Sequence, residues 1–178
     1  MRKVVFFDRD DTLIEDRIYL NDPNDIVFLP YAFECLKALS LMGFEFVIVT
    51  NQSGVARGLV QIKNLNKIHK NIKDEFNQRG IEILDFIYAP FMTNSNHFLR
   101  KPNPGMLLEA QKMYRIDLKQ SWMVGDRMSD VEAGHRAGTK TILLGPKEPP
   151  ELSEFAPPEF HVNNLKEVYL AIKNFYRD

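Results

Sequence analysis

Val4-Val5-Phe6-Phe7-Asp8-Arg9-Asp10-Asp11-Thr12 is an unbroken apolar run that stops abruptly at a cluster of polar residues. A short continuous apolar run reads as a strand covered on both faces, the kind found in parallel sheets. The same pattern recurs down the chain. Phe44 to Val49 is a second run, and Ile83 to Ala89 a third, interrupted by Asp85. Trp122 to Val124 is a fourth, Thr139 to Leu144 a fifth, and Phe160 to Val162 a short sixth.

Helical spacing fills the gaps between them. Ala32 to Met42 carries Phe33, Leu36, Leu39 and Leu41 before Gly43, and Gln61 to Arg79 carries Ile62, Leu65, Ile68, Ile72 and Phe76 before Gly80. Pro104 to Tyr114 is a third helix, with Asn103 as the expected N-cap and Pro104 at the first helical position. Ser129 to Ala137 and Asn164 to Phe175 complete the set. Strands alternating with helices predict an α/β fold: three layers, a mainly parallel sheet with helices on both faces. Gly145 to Pro158, with five prolines, reads as an irregular loop.

The chain has 178 residues, about one domain's worth. Its 44% hydrophobic and 26% charged content excludes intrinsic disorder. With 23 basic against 24 acidic side chains, no bulk basic footprint for nucleic acid exists, so no nucleic-acid partner is expected. The one cysteine, Cys35, can form neither an internal disulfide nor a CxxC zinc site. No apolar run approaches the ~18 residues of a membrane helix, and the start MRKVVFF is too short for an export signal core of about 7–15 residues. No membrane association is expected, the cytoplasm is the default compartment, and a monomer is the expectation.

The strands end on chemically capable residues: Asp8, Thr50 and Asp126. In open α/β sheets ligands sit at the carboxyl ends of strands, so three such ends mark one crevice. Asp8 and Asp10, two residues apart, suit a nucleophile or metal ligand beside a proton donor. Crowded carboxylates also call for a hard divalent cation. Thr50-Asn51-Gln52-Ser53-Gly54, followed by Arg57, offers a hydroxyl and backbone amides at a corner that can hold phosphate oxygens. Lys101, after Arg100, can neutralise an anion as a point charge. Asp126 and Asp130, four apart after Gly125, can share a face and supply a metal ligand and its orienter. Each segment alone fits an ordinary polar loop. Their order, each after a strand or opening a helix, does not.

The combination DRDDTL (8–13), VIVTNQSGVARG (47–58), RKPNPGML (100–107) and MVGDRMSD (123–130) resembles the haloacid dehalogenase (HAD) superfamily of aspartate-nucleophile phosphatases. More narrowly it is similar to the branch holding the D-glycero-D-manno-heptose 1,7-bisphosphate and histidinol-phosphate phosphatases. The resemblance implies a Rossmann-like HAD fold and a phosphomonoesterase acting on a small phosphorylated metabolite, a sugar bisphosphate above all. It implies that Asp8 is the nucleophile, that Asp10 protonates the leaving alkoxide and then activates water, and that Lys101 stabilises charge. Thr50, Asn51, Gln52, Ser53, Arg57 and Arg100 would bind substrate. Asp8, Asp10 through its backbone carbonyl, and Asp126 would hold Mg²⁺, supported by Asp130 and Thr12. An alkoxide needs a proton donor and a halide does not, so Asp10 favours a phosphatase over a dehalogenase. The short spacing between motifs leaves little room for a cap: one domain over 1–178 is expected, with 16–30 as a small flap.

Two departures stand out. Asp11 replaces the usual glycine, and a carboxylate there must point to solvent or touch the metal's surroundings. The stretch 91–99 has no cysteine, so zinc is not expected, and a lone His97 cannot build a tetrahedral site. Cys35 and Trp122 read as packing residues, and His69 and His135 as residues on helix surfaces. The competing readings are a histidinol-phosphate phosphatase, a polynucleotide 3′-phosphatase, a phospho-receiver domain and an inactive scaffold. A receiver places its phosphorylated aspartate after a later strand, and a dead scaffold has no use for intact Asp8, Asp10, Lys101 and Asp126.

Overall fold

The computed structural model describes residues 1–177. The six apolar runs form strands β1 (Val4–Phe7), β2 (Glu45–Asn51), β3 (Asp85–Ala89), β4 (Trp122–Gly125), β5 (Lys140–Leu144) and β6 (Phe160–Val162). They pair in one parallel sheet of order β3-β2-β1-β4-β5-β6. The helices are α1 (Ala32–Leu41), α2 (Ser53–Ala56), α3 (Ile62–Asn77), α4 (Gly105–Tyr114), α5 (Met128–Ala137) and α6 (Leu165–Phe175).

Alternation along the strands builds two cores. Val5 and Phe7 of β1, Phe46 and Ile48 of β2, and Trp122 and Val124 of β4 face one side, where Leu36 of α1, Ile72 of α3 and Val168 of α6 pack on them. Val4, Phe6, Val47, Val49 and Met123 face the other, against Met106, Leu107 and Ala110 of α4 and Ala133 of α5. Both faces are therefore dry, which is why the strands read as continuous apolar runs rather than alternating ones. Phe76 closes the first core, with no exposure and its ring 5.0 Å from Phe33 and 5.7 Å from Phe28. Phe76→Ala is expected to lower unfolding free energy by about 3–5 kcal/mol, because the rings cannot collapse into the void; urea denaturation measures it.

Several boundaries move. β2 runs on to Asn51 because Thr50 and Asn51 pair with Tyr88 and Ala89 of β3. β3 starts at Asp85 rather than Ile83; Ile83 is buried as core before pairing begins. The expected cap of α4 is corrected: Pro104 occupies the N-cap position, while the Asn103 amide donates to the carbonyls of Asn96 and His97. Asn164 caps α6 instead of opening it, its side chain accepting from the Glu167 amide at 3.0 Å. The one-turn helix α2 carries no hydrophobic repeat, so periodicity passes over it. Gly138 ends α5 with φ near 104°, a left-handed turn that other residues adopt only under strain.

The chain fills β1, β2 and β3 toward one edge, then crosses back to lay β4 against the other side of β1. That reversal leaves a crevice at the carboxyl ends of the central strands. Asp8 follows β1, Thr50 and Asn51 end β2, and Asp126 follows β4. Register fixes their spacing: Phe7 pairs with Ile48 on one side and Val124 on the other, and the Asp8 amide donates to the Val124 carbonyl at 2.9 Å. No helix among the described residues is long and apolar enough to cross a membrane.

Candidate active site

An open cleft of about 1120 Å³ lies over these strand ends. At its floor Lys101 is buried, and all three ammonium protons have partners: Asp8 Oδ1 at 2.9 Å, Asp130 Oδ1 at 2.6 Å and the Val49 carbonyl at 2.8 Å. Burial opposes its charge, but Asp130 and Asp8 outweigh that and hold the ammonium above the usual lysine range. Asn51 brackets the Lys101 backbone, its Nδ2 donating to the carbonyl at 3.1 Å and its Oδ1 accepting from the amide at 3.0 Å. The residue expected to bind substrate is thereby tied to the loop that carries Lys101.

Asp8, Asp126 and Asp130 each bring a carboxylate oxygen within 4.8 Å of one another. Burial raises the Asp126 carboxyl well above the usual range, and Asp8 and Asp130 raise it further. Burial likewise raises Asp130, again helped by Asp8. Asp130 is pinned on both oxygens, by Lys101 and by the Arg127 amide at the start of α5. Gly125 makes this possible, since a Cβ there would run into the Asp130 carboxyl. Thr12 donates to Asp126 Oδ1 at 3.4 Å. The donors are all hard oxygens, and their mutual repulsion is what a bound dication would offset, so the residues fit a Mg²⁺-type ion. Asp8 and Asp126 present the carboxylates not already committed to Lys101 and a helix cap together.

Asp10 stands apart from that trio. The Arg9 guanidinium grips both its oxygens, Nε to Oδ1 at 3.0 Å and Nη2 to Oδ2 at 3.1 Å, and Gln52 Nε2 adds a bond to Oδ2 at 3.2 Å. Burial raises the Asp10 carboxyl, Arg9 pulls it down and Asp8 raises it; the net shift is upward. Gln52 also donates to Thr50 Oγ1 at 2.8 Å, so the β2 corner and the Asp10 carboxylate are one network. Ser53 lines the cleft at the start of α2. Arg100 lines it too, donating to the Phe91 carbonyl at 3.4 Å. Arg57 stays exposed, beside Thr93 Oγ1 at 3.5 Å. Burial and the nearby Arg57 charge both lower the Arg100 pKa, so two cations crowd this rim.

Three side chains escaped the sequence reading. Arg9 is almost fully buried. His69 is corrected from helix surface to interior: 6% exposed, its ring stacked on Phe86 at 4.8 Å, its Nε2 3.1 Å from Arg9. Lys147 reaches from the proline-rich loop to Asp126 Oδ2 at 3.0 Å and Asp11 Oδ2 at 2.8 Å. Asp11, in left-handed backbone at φ 57°, is thus paired with Lys147 while still partly exposed. Burial works against its charge, but the bonds from Lys147 and the Asp16 amide leave its pKa below the usual range. His135 is partly buried, with Nε2 3.0 Å from Glu159 and 3.1 Å from Thr141 Oγ1. Cys35 and Trp122 pack in the core as expected.

Residues 98–168 match the HAD-hydrolase-like family model. A D-glycero-beta-D-manno-heptose-1,7-bisphosphate 7-phosphatase of Photorhabdus laumondii is 32% identical over 178 residues, 95% of this chain and 94% of that protein. A D-glycero-alpha-D-manno-heptose-1,7-bisphosphate 7-phosphatase of the same organism is 35% identical over 149 residues, covering 80% and 81%. The D,D-heptose 1,7-bisphosphate phosphatase of B. bronchiseptica, solved with magnesium and phosphate, superposes with a TM-score of 0.88 at 25% identity, covering 97% of this chain and 99% of that one.

Proposed function

The chain belongs to the HAD-like hydrolases, and on that premise we propose that it is a Mg²⁺-dependent phosphomonoesterase for a sugar bisphosphate of the D-glycero-D-manno-heptose 1,7-bisphosphate type. The observation that carries this reading is the convergence of Asp8, Lys101, Asp126 and Asp130 at one point of the cleft, with Asp10 beside it. Relatives acting on both the alpha and the beta sugar support the substrate class and leave the anomer open.

In this reading an Asp8 oxygen attacks phosphorus as the bond to the leaving oxygen breaks, giving an aspartyl-phosphate. Asp10 delivers its proton to the departing alkoxide. It then takes a proton from the water that attacks the phosphorus and frees Asp8. A carboxylate approaching a phosphate dianion is repelled, and Lys101 holds a buried positive charge against Asp8 to offset this. Mg²⁺ would be held by Asp8, the Asp10 carbonyl and Asp126, where it would supply further charge neutralisation. Ser53 and Arg100, which line the cleft, would face the phosphate and sugar. Thr50, buried with its hydroxyl bonded to Gln52, would support them from beneath. Asn51 and Gln52 would brace Lys101 and Asp10, and Arg57 would act from farther out. The same proposal includes one domain over 1–178, acting as a monomer in the cytoplasm. Residues 16–30 form its flap, supported by Asp16, Ile18, Tyr19 and Leu20 lining the cleft.

The test is phosphate release from a panel: both anomers of the heptose bisphosphate, histidinol phosphate and a 3′-phosphorylated oligonucleotide. Preferred hydrolysis of a heptose bisphosphate, lost with EDTA and restored by Mg²⁺, is the expected result. Inactivity on every ester with Mg²⁺ supplied would overturn the proposal.

A further inference from the structure

Arg9 is an unusual side chain for a site built to bind phosphate. It borders the cleft, yet its side chain is only 1% exposed. Two of its nitrogens fork onto Asp10, and the third, Nη1, lies 3.1 Å from His69 Nε2. Arginine has donors and no acceptor, so His69 Nε2 must offer its lone pair and the ring proton must sit on Nδ1. Burial and the neighbouring guanidinium agree, pushing the imidazole down to about 3 and keeping it neutral. The ring cannot drift, because it stacks on Phe86 at 4.8 Å with Tyr88 at 6.2 Å on its flank.

The bonding pattern on Asp10 is asymmetric. Oδ2 accepts from both Arg9 Nη2 and Gln52 Nε2, whereas Oδ1 accepts from Arg9 Nε alone. A carboxylate oxygen has two good acceptor directions. The oxygen with room for a proton is therefore Oδ1, and the plane of the Arg9 fork decides where its remaining lone pair points. That plane is set at its far end by His69. Without an acceptor there, Nη1 is a buried donor with nothing to bond, and the guanidinium gains by tilting to find one.

We propose that His69 is a positioning residue for proton transfer: through Arg9 it aims Asp10 Oδ1 at the leaving oxygen. The inference rests on the role proposed above for Asp10 and adds a residue from α3 that no motif marks. It makes a prediction that simple structural support does not. An alkoxide must receive a proton as it leaves, whereas p-nitrophenolate departs unaided. Damage confined to Asp10's aim should therefore depend on the leaving group.

The experiment compares kcat/KM, which reports steps up to the first irreversible one, for the preferred sugar phosphate and for p-nitrophenyl phosphate. Wild type, His69→Phe and His69→Gln are measured with thermal midpoints alongside. His69→Phe keeps an aromatic ring against Phe86 and removes the acceptor; it should lose on the order of tenfold on the sugar phosphate while the aryl phosphate stays within about twofold. His69→Gln, whose amide oxygen can accept from Arg9, should recover most of the loss. If His69→Phe does not fold, His69→Leu carries the same comparison. Equal losses on both esters, or no loss on either, would overturn the role of His69 while leaving the phosphatase reading intact. A wild-type protein releasing phosphate from neither ester would sink both.

Discussion

Asp8→Asn is expected to abolish turnover, lowering kcat by about 10⁴-fold or more, while the protein stays folded and no less stable. The amide is isosteric and its oxygen can still accept from Lys101 Nζ, which lies 2.9 Å from Asp8 Oδ1. What it lacks is the nucleophilic charge. Stability should hold or rise for a separate reason. After burial itself, the Asp8 charge does most to raise the pKa of both Asp126 and Asp130, so the folded site carries a repulsion that the substitution removes. A thermal melt without divalent cation should show an equal or higher midpoint, the signature of a site strained for function. Phosphate release measured on the same sample gives the other half. Retained turnover would remove Asp8 as the nucleophile, and a collapsed melt would mean its charge is structural.

The central sheet was readable because β1, β2 and β4 are sandwiched between helices, so burial on both faces shows as unbroken apolar runs. The strand ends were readable for a related reason: Asp8, Thr50 and Asp126 are the first polar residues after dry segments, and in such a fold that position is the ligand crevice. What stayed hidden depends on contacts that a single chain of letters does not pair. Lys147 and Asp11 meet across 136 residues, from a proline-rich loop with no periodicity. His69 follows Ile68 at the edge of the α3 apolar stripe. A polar residue there looks solvated unless one knows that β3 presents Phe86, and the turn after β1 presents Arg9, at that height. Arg9 itself stands between two aspartates, and nothing in the sequence marks its role. Asn51 and Gln52 were found by motif, but their present bonding shows them bracing other site residues. Composition marks which residue types gather at a strand end; hydrogen-bond geometry separates those facing the ligand from those holding their neighbours.

Lys101→Met should damage both stability and chemistry, and a second substitution should separate the two. The ammonium bonds Asp8, Asp130 and the Val49 carbonyl within an interior site only 3% exposed. Removing it strands the buried Asp130 carboxylate, whose remaining partner is the Arg127 amide. Breaking one side of a buried ion pair typically costs about 3–5 kcal/mol, and urea denaturation should show a loss of that order. Turnover should fall by about 10²–10³-fold as well, because the positive charge that offsets repulsion between Asp8 and a phosphoryl group is gone. Lys101→Arg should not rescue it: a planar fork cannot place one nitrogen between three converging oxygens. Adding Asp130→Asn to Lys101→Met keeps an acceptor for the Arg127 amide and removes the stranded charge. The double variant should regain about 1–3 kcal/mol over Lys101→Met without regaining turnover. Stability losses that simply add would mean the two side chains do not act as a pair. Turnover returning with stability would mean Lys101 serves the fold and not the reaction.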